Sequence, residues 1–204
     1  VMITGSHNPP DYNGFKMMLG GDTLAGPVIQ ELLAAIEADR FTQPATKGSV
    51  TEKDISAEYR NYIVGHVKLK RPMKIIIDTG NGVGGAFAGA LYRALGNEVT
   101  ELFSEVDGTF PHHHPDPSKP KNLQDLIAAL KNSDAEIGLA FDGDADRCFV
   151  IDEKGNAVTP SAITALVAER EIARAKAEGN EQPVIIYNLI TSKAVPELVE
   201  KLGG

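Results

Sequence analysis

Hydrophobic and polar positions along this chain form two kinds of segment: short continuous apolar runs and longer stretches with helical spacing. Apolar runs bounded by turn residues indicate strands, and apolar residues that recur every three to four positions indicate helices. The runs predict strands at 1–4, 15–19, 73–78, 99–103, 136–141, 148–151 and 184–188. The periodic stretches predict helices near 27–36, 54–67, 84–95, 123–130, 161–177 and 192–202. Strands that alternate with helices at this spacing indicate βαβ units, so we expect an α/β protein with mixed, mostly parallel sheets.

Two breaks in the pattern divide the chain. Residues 41–52 are rich in Thr, Gln, Pro, Lys, Gly and Ser without any period, which is typical of a linker. A turn at residues 153–156 precedes a restart of the helical spacing. We therefore predict three parts, residues 1–52, 53–155 and 156–204. The first part opens directly on an apolar run and the last ends on a helix, so we expect an internal fragment of a longer protein.

The segment Thr4–Asn13 reads Thr-Gly-Ser-His-Asn-Pro-Pro-Asp-Tyr-Asn. Its two prolines place Ser6 and His7 on a stiff, non-helical loop. A hydroxyl beside an imidazole is the local pattern of an activated nucleophile or a phosphoryl carrier. A plain polar turn has the same composition, and this segment taken alone does not separate the two interpretations.

A second polar motif follows the predicted strand at 136–141. Asp142, Asp144 and Asp146 alternate with small residues and are followed by Arg147. Three carboxylates this close repel one another unless a cation neutralises them, and oxygen ligands suit Mg²⁺ or Ca²⁺. We therefore predict a metal site, against the alternative of a solvated acidic loop. Ligands in open α/β sheets bind beyond the carboxyl ends of strands, where this loop is expected.

Two other classes of protein carry similar aspartates. An EF-hand loop requires glycine at its sixth position and flanking helices, whereas this chain has Arg147 there and a strand-like run after it. We reject that class. An aspartate-nucleophile phosphatase also has an apolar strand that enters an Asp-x-Asp loop. That class leaves the serine loop unexplained, and it stays open as the alternative function, beside a non-catalytic binding fragment.

Together the two motifs resemble one family, the α-D-phosphohexomutases, and within it the bacterial phosphomannomutase/phosphoglucomutase group. The resemblance rests on Thr4–Lys16, on Asp142–Arg147, and on Val106–Pro111 with the His-His-Pro-Asp-Pro run that follows. It covers the whole chain. The family implies consecutive three-layer α/β domains and an enzyme that interconverts hexose 1-phosphate and hexose 6-phosphate of mannose, glucose or both.

The resemblance also implies a mechanism and a set of site residues. Ser6 would carry the phosphoryl group, and Ser6 with Asp142, Asp144 and Asp146 would hold Mg²⁺. His7 and Lys16 would be candidates for proton transfer, and Arg147 would bind the phosphate. Hexose 1,6-bisphosphate would serve as the activator, and the partner would be a phosphosugar.

The family has four domains, and the sugar-recognition and phosphate-binding loops of its third and fourth domains are not found in this sequence. We therefore expect the serine loop in the end of domain I, the metal loop in domain II, and only the beginning of domain III. The fragment alone is expected to be inactive, and its preference between mannose and glucose stays open.

Two further patterns invite other functions. Gly80–Gly85 matches G-x-G-x-x-G after a strand and before a helix, the context of a dinucleotide-binding turn. The resembled family has a similar turn without such a cofactor, so we expect these glycines to permit a tight turn and close packing. His112–His114 invites a metal assignment, but no cysteine or carboxylate lies at a usual zinc spacing, which favours a structural loop.

Composition narrows the possible partners. The chain has 42% hydrophobic and 24% charged residues and a net charge of −8 without a basic cluster, which argues against nucleic acid and anionic membranes as partners. The single cysteine, Cys148, excludes an internal disulfide and fits a reducing compartment. With neither a bilayer-spanning run nor a signal peptide in the sequence, we expect a cytoplasmic protein. The oligomeric state stays open.

Overall fold

The computed structural model describes all residues from Val1 to Gly204. Its first part contains two short antiparallel ribbons, β1 (Met2–Ile3) with β2 (Phe15–Lys16) and β3 (Met18–Leu19) with β4 (Asp22–Thr23), followed by α1 (Pro27–Glu37). The prediction of a single strand at 15–19 is therefore wrong, because two short strands form there and the pairing partner changes at Met17. Pro27 begins α1 as predicted, since the first turn of a helix tolerates a missing N–H.

The second part follows α2 (Ser56–His66) and is built on one mixed sheet. Its strands are β5 (Lys74–Asp78), β6 (Glu98–Leu102), β7 (Ile137–Phe141), β8 (Cys148–Asp152) and β9 (Ala157–Val158). They lie in the order β6-β5-β7-β8-β9, with β5 parallel to β6 and β7, and with β8 antiparallel to both of its neighbours. Only β8 runs against the others, so the predicted α/β class with a mixed sheet is confirmed.

Helices cover both faces of this sheet. On one face α3 (Ala88–Ala94) packs near Ile75 and Ile77, and on the other α4 (Gln124–Lys131) covers Ile76. Successive strand residues point to opposite faces, so the Ile75–Ile77 run supplies both cores. Leu126 and Leu130 of α4 are fully buried. The layers are therefore helix, sheet and helix, with the carboxyl ends of β5 and β7 at one edge.

The helix predicted at 84–95 is interrupted. Val83–Ala86 forms a 3-10 turn, Phe87 adopts φ −138°, and α3 begins only at Ala88. The helix predicted near Leu123 is also preceded by a 3-10 turn, Pro120–Leu123. Glycine-rich and proline-led turns of this kind lack the propensity for regular α-helix, so the periodicity alone placed their boundaries too early.

The third part packs α5 (Pro160–Ala177) against α6 (Ala194–Lys201) around Ile172 and Val195. Thr159 caps α5, because its side chain accepts a hydrogen bond from the N–H of Ala162. The strand predicted at 184–188 is wrong: the segment is irregular, and no strand lies beside it to pair with. None of the α-helices combines the length and apolar composition needed to cross a bilayer.

Candidate phosphoryl-transfer site

The acidic motif forms the loop that joins the antiparallel strands β7 and β8. Phe141 and Cys148 are paired at its base, and the N–H of Ala145 donates to the carbonyl of Asp142 at 3.0 Å. Ala145 adopts φ 57°, the left-handed conformation that closes this tight turn. The three carboxylates therefore lie at the carboxyl end of β7, and one oxygen from each lies within 4.8 Å of the others.

The serine loop is held at its base by the β1–β2 ribbon. The N–H of Thr4 donates to the carbonyl of Gly14 at 2.9 Å, and the N–H of Asn8 donates to the carbonyl of Gly5 at 2.9 Å. Ser6 adopts φ 50°, an uncommon conformation for a residue with a side chain. Strained backbone of this kind is concentrated at functional sites. The loop presents the Ser6 hydroxyl toward the acidic loop.

Polar side chains of the two loops meet directly across more than 120 residues of sequence. The Ser6 hydroxyl donates to Oδ2 of Asp142 at 3.2 Å. The remaining contacts pair Thr4 Oγ1 with Asp144 Oδ2 at 2.6 Å, Arg147 Nη2 with His7 Nδ1 at 2.7 Å, and Lys16 Nζ with Asp146 Oδ2 at 3.0 Å. All seven residues of the predicted site thus lie in one cluster.

Asp142 is the most enclosed of the three carboxylates, with no exposed surface. Its Oδ1 accepts from the N–H of Arg147 at 2.9 Å, and its Oδ2 accepts from Nε of the same arginine at 2.8 Å. The Ser6 hydroxyl is a further donor to Oδ2. Arg147 therefore orients Asp142 and offsets its charge while also touching His7.

Asp144 carries the feature that best fits a cation. Its Oδ1 is buried and has no hydrogen-bond partner, although buried polar atoms are normally paired. Burial raises the pKa of Asp144, but the hydrogen bond from Thr4 and the charge of Lys16 help to outweigh it and leave the pKa below its usual value. An ionised oxygen without a donor, in a cluster of three carboxylates, can bind a metal ion.

Lys16 and His7 contact different parts of the cluster, Lys16 the acidic loop and His7 the serine hydroxyl. The hydrogen bond to Asp146, with the charge of that carboxylate, raises the pKa of Lys16, so its ammonium group stays charged at neutral pH. His7 Nδ1 is 3.0 Å from the Ser6 hydroxyl. Because Arg147 can only donate, Nδ1 of His7 is the acceptor in their contact, which assigns the ring proton of a neutral His7 to Nε2.

The glycine-rich turn packs against protein backbone. A methyl group on Gly82 would lie 2.7 Å from the carbonyl oxygen of Gly143, and one on Gly85 would lie 2.0 Å from that of Ser104. The N–H of Val83 already donates to Gly143 at 3.0 Å. Gly82 and Gly85 therefore allow close contact with neighbouring backbone, in agreement with the close packing expected of these glycines.

The three histidines have separate partners. His112 contacts the side chain of Asn81 at 2.8 Å, and His113 contacts the buried carboxylate of Asp78 at 3.0 Å. The ring of His114 lies edge-on to that of His7, with ring centroids 5.7 Å apart. Separate partners favour the structural interpretation of this loop.

Comparison with known proteins identifies the family. Residues 57–155 match the family model described as phosphoglucomutase/phosphomannomutase, alpha/beta/alpha domain II, and residues 1–43 match domain I of the same family. The chain belongs to the phosphoglucomutase/phosphomannomutase family. The resemblance drawn from the two motifs is thereby confirmed.

Individual members of the phosphoglucomutase/phosphomannomutase family match the entire chain. It is 65% identical to a phosphoglucomutase of Neisseria meningitidis serogroup A over 204 residues, which is 43% of that protein. A phosphomannomutase/phosphoglucomutase of Pseudomonas putida is 46% identical and 42% covered. A solved family protein from Burkholderia thailandensis superposes with a TM-score of 0.91 at 46% identity, over 99% of this chain and 43% of that one. The chain spans less than half the length of these relatives.

Two residues at this phosphoglucomutase/phosphomannomutase-type site were missed by sequence reasoning. Thr4 bonds Asp144, and its Oγ1 also accepts from the N–H of Ser6 at 3.0 Å. His114 contacts His7 from a loop about 30 residues before the acidic motif. Thr4 opens the serine motif, so its position was a usable signal, whereas nothing local to His114 indicates its neighbour.

Proposed function

We propose that this chain carries the phosphoserine and metal loops of a phosphohexomutase, which interconverts the 1-phosphate and 6-phosphate of mannose, glucose or both. The observation that carries the proposal is the Ser6 hydroxyl, 3.2 Å from Asp142 in a cluster of three carboxylates. The names of the relatives, phosphoglucomutase and phosphomannomutase, support the same activity.

In the proposed reaction Ser6 alternates between its phosphate ester and its free hydroxyl. A sugar hydroxyl attacks the phosphorus of phosphoserine, the bond to Ser6 Oγ breaks, and a hexose 1,6-bisphosphate results. The bisphosphate turns round, and Ser6 Oγ attacks its other phosphate, which releases the isomer and restores phosphoserine. Free hexose 1,6-bisphosphate serves as activator, because it phosphorylates Ser6 in the same way.

Asp142, Asp144 and Asp146, with the phosphate on Ser6, are the proposed holders of Mg²⁺. The unpaired Oδ1 of Asp144 and the all-oxygen donor set support this assignment. When bound, the ion neutralises charge on the transferring phosphoryl group, which is the main requirement of this chemistry.

The neighbouring side chains have distinct proposed roles. Arg147 orients Asp142 and supplies a charge-assisted donor for the phosphate. Lys16 supplies a second positive charge near the serine, and it must leave Asp146 before it can exchange a proton with substrate. His7 Nδ1 lies 3.0 Å from Ser6 Oγ, and it can accept the proton when that oxygen attacks only after Arg147, which donates to the same nitrogen, has turned to the phosphate.

The alternative of an aspartate-nucleophile phosphatase fits less well. Its nucleophile would be Asp142, which must present a free oxygen to an incoming phosphorus. Asp142 is fully buried and both of its oxygens accept hydrogen bonds from Arg147, so a bulky phosphate has no open approach, whereas a small cation needs only a second lone pair of one oxygen. Ser6 also lines the cavity beside the serine loop, whose volume is about 180 Å³, whereas Asp142 does not.

The site of phosphorylation distinguishes these two functions. We expect the full-length protein that carries this chain to take up one phosphate from glucose 1,6-bisphosphate with Mg²⁺, and peptide mass spectrometry to locate it on Ser6. Ser6→Ala should abolish the label, whereas Ser118→Ala, a serine outside the site, should retain it. A phosphate on Asp142 with none on Ser6 would overturn the mutase assignment.

A further inference from the structure

We propose that Gly82 and Gly143 are positioning residues that set the distance between Ser6 and the acidic loop. The inference rests on the proposed function, because it explains how the phosphate-bearing serine comes to lie against the carboxylates. Three backbone segments are stacked here: the glycine-rich turn, the acidic loop and the serine loop. The two glycines occupy the two contacts between them.

The outer contact joins the acidic loop to the serine loop. A methyl group on Gly143 would lie 2.0 Å from the carbonyl oxygen of Ser6, 2.6 Å from its carbonyl carbon and 3.1 Å from the nitrogen of His7. Any side chain at this position must move one loop away from the other. The two loops carry the two halves of the site, so such a displacement acts on Ser6 directly.

The inner contact joins the acidic loop to the glycine-rich turn. A methyl group on Gly82 would lie 2.7 Å from the oxygen and 2.9 Å from the α-carbon of Gly143. The N–H of Val83 holds the same carbonyl at 3.0 Å. The turn therefore contacts the acidic loop at Gly143, the residue that also meets the serine loop, and a larger residue at Gly82 displaces Gly143 from its position against Ser6.

Backbone conformation does not explain either glycine. Gly82 has φ −75°, which any residue adopts, and Gly143 is absent from the glycines with positive φ. Ala145 and Ser6 hold the left-handed conformation instead, although both have side chains. Space for the neighbouring backbone, not conformational freedom, is what requires glycine at these two positions.

The spacing matters because the attraction between a phosphate on Ser6 and a cation on the acidic loop weakens as the distance between them grows. The phosphate should therefore raise the affinity of the loop for a divalent cation, and this gain should depend on the two glycines. We would measure Mn²⁺ binding by electron paramagnetic resonance, on protein with serine and with genetically encoded phosphoserine at position 6. The gain is the ratio of the two affinities.

For the unsubstituted chain we expect phosphoserine to raise the Mn²⁺ affinity about tenfold or more, since opposite charges a few ångströms apart attract strongly when partly buried. For Gly143→Ala we expect the gain to fall to about threefold or less, while the affinity of the unphosphorylated form, which depends on the aspartates, changes by less than about threefold. Gly82→Ala should lower the gain in the same direction.

Two alanine variants are matched controls. Gly85→Ala lies in the same turn and creates an equally close contact, 2.0 Å from the carbonyl of Ser104, but away from the acidic loop. Gly65→Ala, in α2, meets no atom within 4 Å. Both should keep the full gain. Thermal unfolding of every variant checks that it is folded, and Gly82→Ala carries the test if Gly143→Ala does not fold.

The possible outcomes separate the two proposals. Folded Gly143→Ala or Gly82→Ala protein with the full gain would overturn the positioning role, as would an equal loss in Gly85→Ala. If the unsubstituted chain binds no Mn²⁺, or gains nothing from phosphoserine, the proposed function itself fails. A gain lost only in the Gly82 and Gly143 variants supports both.

Discussion

Removal of His113 tests whether the histidine loop is anchored by a buried ion pair. Asp78 ends β5 and is 1% exposed, and both of its oxygens lie within 3.1 Å of His113 Nε2. His113 Nδ1 contacts the carbonyl oxygen of His114 at 3.1 Å. A carboxylate and a carbonyl can only accept, so both ring nitrogens donate, and the geometry is that of an imidazolium.

The expected loss of stability follows from the carboxylate that is left behind. Breaking a fully buried ion pair costs about 3–5 kcal/mol, because an uncompensated charge remains. The side chain of His113 is 14% exposed, and Asp78 keeps a hydrogen bond from the N–H of Gly80 at 2.9 Å. Both features reduce the penalty, and we expect His113→Ala to lower the free energy of unfolding by about 2–3 kcal/mol.

The loss should depend on pH with a definite sign. The hydrogen bond to Asp78 raises the pKa of His113, against the effect of burial, and the charges of Asp78 and Asp125 add to the rise. A group whose pKa is raised on folding contributes stability fully below its unfolded pKa of about 6.5, and loses that contribution as the pH rises through the folded value. The difference in the free energy of unfolding between the unsubstituted protein and His113→Ala should therefore be larger at pH 6 than at pH 9.

Urea unfolding followed by far-UV circular dichroism at both pH values measures this difference. The control compares Asp78→Asn with the double variant Asp78→Asn/His113→Ala. Without the buried charge, loss of the histidine should change the free energy of unfolding little and without pH dependence. The ion pair would be refuted if His113→Ala lowered the free energy of unfolding by less than about 0.5 kcal/mol, which is the range of an ordinary surface substitution. A loss of stability that grows with pH would refute it as well. His114 contacts His7 from the same loop, so the pair also supports the site.

Two further predictions concern the acidic loop and the chain as a whole. Ala145→Gly should stabilise the protein by about 0.5–1 kcal/mol in the same urea assay. Glycine relieves about 1–2 kcal/mol of strain in the left-handed conformation at φ 57°, which exceeds the cost of the greater entropy of the unfolded chain with glycine. Destabilisation would show that the turn holds alanine without strain. The 204-residue chain should show no turnover of glucose 1-phosphate with bisphosphate and Mg²⁺ in a coupled assay. The loops that bind the sugar and its non-reacting phosphate in the family are not in this sequence, and binding remote from the reacting centre normally lowers the reaction barrier. Turnover near that of a full-length enzyme would contradict this expectation.

Part of the geometry of the site was predictable from the sequence. The apolar run before Asp142 predicts a buried strand. Acidic residues that follow such a strand lie at the edge of the sheet where ligands bind. Both features are local, so the acidic loop at the end of β7 was predictable. The roles of its residues remain predictions, whereas their proximity to Ser6 is a property of the fold.

Failures of the sequence prediction occurred where long-range contacts decide the local conformation. The apolar run at 184–188 has strand composition, but a strand requires a paired neighbour, and none lies beside it. The close packing expected at Gly82 agrees with the structure, but the sequence does not show which distant segments Gly82 and Gly143 contact. Neither kind of information is present in a window of ten residues.

The charges at the site explain why the two loops can associate before any ligand arrives. The three aspartates carry three negative charges, and Arg147 and Lys16 contribute one positive charge each, one from either loop. A divalent cation together with a dianionic phosphoserine adds almost no net charge to this set. Phosphate alone takes the net charge of this set from about −1 to about −3, which the low-dielectric surroundings of Asp142 penalise, and a divalent cation offsets that increase. Cation and phosphate should therefore favour each other's binding, and the closeness of the two loops at Gly143 determines how strongly.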